Sequence, residues 1–171
     1  IPAARHLLLS AHQARQRYAY RQAGAIYGRV LELLEGIGAG DESPEGLAIR
    51  LQAHEGQGDA ALLSGEYEAA AIAYEAARSF LPGTDAPQER DALRPRLLLK
   101  GALVLAPLGQ REEAERFARA ALDTSPAGEN LGAAATLAWL SWRAGSEAGS
   151  GRPAPCSPIR ATAGRPPFRP C

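Results

Sequence analysis

Cysteine is missing from the first 155 residues; the two that occur, Cys156 and Cys171, fall near the C-terminal end. Two such thiols cannot staple a disulfide framework, and they fall short of the four ligands of a structural zinc site. Long apolar runs are missing too. No stretch approaches the roughly 18 apolar residues that a membrane-spanning helix needs. Leu7–Leu9 is too short and is soon followed by His12, Arg15 and Arg17, and nothing resembles a secretory signal. These absences predict a cytoplasmic setting without membrane contact.

An excess of either charge is also lacking: Lys plus Arg equals Asp plus Glu at 19 each. No long-range field therefore draws the whole chain to nucleic acid or to an anionic membrane. The balance hides an asymmetry, because Gly149–Cys171 holds four Arg, six Pro and no acid. That composition predicts a disordered Pro/Arg/Gly-rich tail, a linker or an out-of-frame translation, at 149–171. Lysine is nearly absent, with Lys100 alone against 18 Arg, which reads as the codon supply of a GC-rich bacterial genome. The sequence begins at Ile1 rather than Met and is helix-prone at once, so a fragment of a longer protein is expected.

Strand-forming alternation of β-branched residues is absent as well. What fills the first 148 residues is Ala, Leu, Arg, Glu and Gln, all good helix formers. Breakers divide them into helices expected at 3–16, 19–34, 45–63, 66–80, 91–108, 111–122 and 130–144. Ser43-Pro44 supplies an N-cap followed by a first-turn proline. Pro95 is expected in the first turn of its helix, and Pro107 near its end.

The helices come in pairs, and the pairs repeat. Aligning Gly65 with Gly109 brings Ala70 onto Ala114, Ala77 onto Ala121 and Pro82 onto Pro126. Gly58 falls on Ala102. An earlier copy puts Ala11, Ala23 and Tyr27 where Gly58, Ala70 and Tyr74 stand, and a partial fourth places Ala138 and Gly145. Small residues at these places let two helices cross closely. Gly65 suits a left-handed turn, and Pro82 stops the second helix.

Gly58, Ala70-x3-Tyr74 and Pro82 resemble the tetratricopeptide repeat, a helix-turn-helix unit with a small residue in its first helix, then A-x3-F, then P. Ala23-x3-Tyr27 fits as well. The other copies depart from the pattern: Ala118 stands for the aromatic, Tyr18 for the turn glycine, Glu35 for the proline. The resemblance implies an all-α fold over residues 1–148, a right-handed superhelical stack of about three and a half antiparallel helix hairpins. Leu137, Trp139, Leu140 and Trp142 would cover its end, and Tyr74 would fill the gap toward the next hairpin with its hydroxyl at the surface. A non-repetitive helical bundle is the alternative.

No catalytic constellation emerges. The Gly36–Gly40 loop follows a helix and lacks GKS or GKT, so it reads as a connection. His6 and His12 lack the i,i+4 spacing of metal ligands, and His54 has no histidine or cysteine companion. Asp41, Glu42 and Glu45 lack EF-hand spacing, and Ser10 and Ser64 sit in no nucleophile elbow. Arg15, Arg17 and Arg21 with Tyr18 and Tyr20 could touch phosphates, but the acids elsewhere make nucleic acid an unexpected partner. No enzyme activity, metal or cofactor is expected.

Surface shape remains. In tetratricopeptide proteins the first helices line a concave groove that receives a peptide or partner helix. By periodicity the candidates here are Arg5, His12, Arg15, Gln16, Gln52, Glu55, Asp59, Arg96 and Lys100. Their mixed charge predicts no simple ligand such as an acidic C-terminal peptide; Leu99 and Leu103 add an apolar segment. The phrase HLLLSAHQARQRYAYRQAGAIYGRVLELLEG is similar to the C-terminal repeat regions of large bacterial signalling ATPases of the adenylate/guanylate cyclase and LuxR types. The resemblance therefore implies a protein-interaction or regulatory module whose partner is a protein, a peptide or an upstream domain. A small-molecule-binding or enzymatic helical domain using the groove as a pocket is the alternative.

Overall fold

The computed structural model describes residues 1–36, 43–81 and 87–125, with Gly132, Ala134, Thr136 and Trp139 as single positions. Among the described residues the continuous helices are α1 (Pro2–Gln16), α2 (Tyr20–Gly36), α3 (Pro44–Leu63), α4 (Tyr67–Ser79), α5 (Pro87–Leu105) and α6 (Arg111–Thr124). No strand occurs among the described residues. The tail at 149–171, Pro82, Pro126, most of the glycine-rich loop, and Leu137, Ala138, Leu140, Trp142 and Gly145 lie outside them.

Each helix packs against its sequence neighbours, and α1 also touches α3. Three connections close by the same device. The residues at their apex, Tyr18, Gly65 and Gly109, have φ of 61°, 78° and 77°. The amide after each apex donates to the carbonyl five residues back: Ala19 to Ala14, Glu66 to Ala61, Gln110 to Leu105. Each apex amide donates three residues back, to Arg15, Leu62 and Ala106. This doubly bonded left-handed cap satisfies carbonyls that a helix end leaves orphaned. Tyr18 adopts it despite its side chain.

At the start of α3, Ser43 Oγ accepts from the Gly46 amide at 3.1 Å, and Pro44 opens the first turn. Helix α5 differs from the sequence reading. It begins at Pro87, so Pro95 lies in its interior rather than in its first turn. The segment PQERDALR is made of helix formers behind a first-position proline, and that prolongs the helix upstream. Pro95 forgoes one backbone bond there. Downstream, α5 ends at Leu105, and Pro107 belongs to the turn that follows.

The core runs through the chain as linked clusters. Ala4, Leu8, Ala11, Ala23, Tyr27, Val30 and Leu34 of α1 and α2 meet Ile49, Ala53 and Ala60 of α3. Leu51 and Ala61, from elsewhere on α3, join Ala70, Tyr74, Ala77, Leu97 and Val104 of α4 and α5. Helix α3 is thus covered from both sides, which is why it carries small and apolar residues around most of its circumference rather than one stripe. Leu105, Ala114 and the half-buried Phe117 continue the core between α5 and α6.

Small residues meet rings along these seams. A Cβ on Gly58 would lie 2.5 Å from Tyr74 Cε1, and one on Gly56 only 2.3 Å from Tyr27 Cζ. Ala11, Ala23, Ala70, Ala77, Ala102 and Ala114 are fully enclosed. The third hairpin corrects the sequence alignment. Its ring is Phe117, not position 118, and its small partner is Gly101, where a Cβ would sit 2.8 Å from Phe117 Cδ2. Gly58 and Tyr74 are 16 residues apart, as are Gly101 and Phe117. Aligning on the turn glycines conceals this, because the first helix runs one residue longer to its turn and the second reaches its ring one residue sooner.

Candidate functional site

Glu55 and Asp59 stand one turn apart on α3, and Arg96 and Lys100 stand one turn apart on α5. The i,i+4 spacing puts each pair on one helix face, and the two faces meet. Glu55 accepts from Arg96 Nη2 at 2.6 Å and from Lys100 Nζ at 2.7 Å. Asp59 accepts from Lys100 Nζ at 2.6 Å and from the Tyr74 hydroxyl at 2.9 Å. From α1, Arg15 completes the set with an ion pair to Asp59. Three cations and two carboxylates therefore join α1, α3 and α5 along one side, with α4 reaching in through Tyr74.

Burial in this cluster is graded. The Glu55 and Asp59 side chains are 10% and 16% exposed, against 53% for Arg96. The carboxylates form the floor and the longer cationic chains lie over them, as amphipathic stems allow. Lys100 also stands 5.7 Å from the Tyr74 ring centroid, within range of a cation–π contact. Burial, reinforced by the Asp59 charge and hydrogen bond, pushes the Tyr74 phenol well above its ordinary value. The tyrosine is therefore a fixed donor. Its hydroxyl is enclosed rather than at the surface, because Asp59 offers it an acceptor inside.

Of the other sequence candidates, Arg5 pairs with Glu45 in the first turn of α3, further along the same α1–α3 seam. His12 meets the Tyr27 ring edge-on at 5.7 Å. Burial, and then the neighbouring Arg15, hold its imidazole below the usual range. Gln16 and Gln52 are exposed and stand outside the network. The sequence reading missed Tyr74, Glu45 and Tyr27 as members of this side. The Tyr27 hydroxyl is buried without a hydrogen-bond partner. The matched i,i+4 spacings of Glu55/Asp59 and Arg96/Lys100 were the available signal for the network.

On the other side of α3, a groove of about 710 Å³ runs between α2 and α4. Gly24, Ala61, Ala69 and Ala73 line it, with the exposed Ile72 at its edge and the Arg21–Glu66 pair at one end. His54 lies there too, stacked on Phe80 at 5.5 Å and 16°. Burial, and then Arg50, lower its pKa from the ordinary 6.5.

Glu55 and Asp59 are each engaged by two or more donors, which leaves neither as a free general base. Among the described residues no group of three or more His, Cys, Asp or Glu is placed to hold a metal ion. Nor is any helix there long and apolar enough to cross a membrane. No protein-family model matches the sequence, and no curated protein is detectably similar to it.

Proposed function

We propose that the chain is a non-enzymatic interaction module: a tetratricopeptide-like superhelical stack whose inner wall, made by α1, α3 and α5, receives a peptide or helix. That segment belongs to a partner protein or to another domain of the same polypeptide. One observation carries the reading. Ion pairs tie the first helix of each pair to the first helix of the next, Arg15 to Asp59 and Glu55 to Arg96 and Lys100. First helices that share a side make a continuous wall, as stacked hairpins do.

Along that wall, the guanidinium of Arg96 and the exposed amides of Gln16 and Gln52 offer donors to a bound backbone. The repeat phrase around Tyr27 supports a setting within a larger cytoplasmic bacterial signalling or transcription-regulating ATPase. The reading frame upstream of Ile1 tests that setting, and an immediate start codon would count against it.

The interaction reading is tested by selecting binders from a random peptide display library against the full chain. The wall variants Gln52→Ala and Arg96→Ala should weaken the selected peptides at least about tenfold, as truncating a central contact does. Ile72→Ala, on the other side of α3, should leave them unchanged. The reverse pattern would reject the wall. A thermal shift with a nucleotide or sugar and no selectable peptide would favour a small-molecule domain instead.

A further inference from the structure

Asp59 is the meeting point of three other helices. It takes a cation from α1 (Arg15), a cation from α5 (Lys100) and a hydroxyl from α4 (Tyr74), while Glu55, one turn earlier, takes two cations from α5. Other ion pairs also cross between hairpins, but Arg5–Glu45 and Arg21–Glu66 are exposed. Water and salt screen such pairs and leave them little strength. The enclosed floor under Arg96 and Lys100 is screened far less.

The seams inside each hairpin depend on other forces. Ala11 and Ala23 are enclosed by apolar neighbours, Gly58 lies against the Tyr74 ring and Gly101 against the Phe117 ring. The turns at Tyr18, Gly65 and Gly109 close by backbone bonds. Charge at the hub therefore acts chiefly between hairpins. It is also unbalanced: with both carboxylates ionised, three cations surround two anions. Remove the two negative charges, and Arg15, Arg96 and Lys100 lie around this face of α3 with no anion between them. Like charges in a partly enclosed site repel strongly. Of the two seams between hairpins, the one between α4 and α5 is the more compliant, because α2 and α3 are closely packed with Tyr27 against Gly56.

We propose that Glu55 and Asp59 form a charge-operated clasp that sets the spacing of the three hairpins. A change of charge on this wall, including one brought by a bound partner, alters that spacing without melting a hairpin. Because any such ligand acts through differential interaction with the closed and open arrangements, binding and wall shape are linked reciprocally. The clasp itself does not depend on the identity, or even the existence, of a partner.

The test uses the full chain with Cys156→Ser and Cys171→Ser, spin-labelled at Gln13→Cys on α1 and Arg94→Cys on α5. Both are exposed positions outside the network. Pulsed dipolar spectroscopy reads the α1–α5 distance, and far-UV circular dichroism reads helix content. The Glu55→Gln/Asp59→Asn variant keeps an acceptor for Tyr74. It should show a longer and broader distance distribution with undiminished helicity. Adding Arg15→Gln, Arg96→Gln and Lys100→Gln removes the repulsion and should return the parent distance. An unchanged distance in the carboxylate variant would overturn the clasp. So would a lengthening that persists in the fully neutral variant, or a loss of helix in the carboxylate variant.

Discussion

The Tyr74 ring lies in the space where Gly58 has no side chain, with 2.5 Å separating its Cε1 from the place a Cβ would occupy. Ring and backbone are in contact, so nothing larger than hydrogen fits without moving a fully enclosed residue. Gly58→Ala should therefore lower stability by about 2–3 kcal/mol, the upper part of the usual overpacking range, although alanine is the better helix former. Chemical denaturation followed by circular dichroism checks this. An alanine that stabilises the chain would contradict the packing.

Tyr74→Phe separates the ring's contribution from that of its hydroxyl. The ring stays in place while Asp59 loses one donor and keeps Arg15 and Lys100. A hydrogen bond to a charged acceptor contributes roughly 1.5–3 kcal/mol. Because two cations remain, the expected loss is near the lower end, about 1.5 kcal/mol, in the same denaturation assay.

The turns at Gly65 and Tyr18 share a left-handed apex yet make opposite predictions. Gly65 has φ of 78° with open space where a Cβ would go. Gly65→Ala should thus cost about 1–2 kcal/mol from backbone strain alone. Tyr18 already bears that strain at φ 61°, and its side chain is 79% exposed. Tyr18→Gly should be neutral or stabilising by up to about 1 kcal/mol, tempered by the greater freedom of glycine in the unfolded chain and by loss of the Tyr20 ring contact.

Most of the architecture was legible because it is written locally. Glycine at the turns, Ser43-Pro44 at a helix start and small residues at fixed intervals each act within a few residues of where they stand. The expected boundaries accordingly fall close to the observed ones over α1 to α4. Pro95 reads locally as a helix beginning, whereas the helix formers before it carry α5 back to Pro87. Phe117 was passed over for a related reason. Its partnership with Gly101 is set by the crossing of two helices. The one-residue shifts on either side of Gly109 cancel in the 16-residue separation, so an alignment that counts from the turn misplaces both partners by one.

The candidate wall was legible as a face but not as a network. Periodicity puts Glu55 with Asp59 and Arg96 with Lys100, yet which face meets which depends on how one hairpin settles on the next. That is a tertiary quantity. For the same reason the enclosed Tyr74 hydroxyl was expected at the surface.

Two imidazoles give the fold a pH dependence. Burial is the leading cause that lowers the pKa of both His12 and His54 below the ordinary 6.5. The unfolded chain therefore takes up protons that the folded chain resists. The stabilising contribution is complete above the unfolded value and is lost as pH falls from 6.5 through the lower folded values. The denaturation midpoint should decline from about pH 7.5 to about pH 5.5, and the His12→Gln/His54→Gln variant should flatten that slope. An identical slope in the variant would place the effect elsewhere.

Hydrogen exchange on the full chain with a selected peptide bound tests most directly whether the first helices share a recognition wall. Added protection should fall on α1, α3 and α5, around Arg15, Gln52 and Arg96. Protection confined to the groove between α2 and α4, around Gly24, Ala69 and Ile72, would contradict the account.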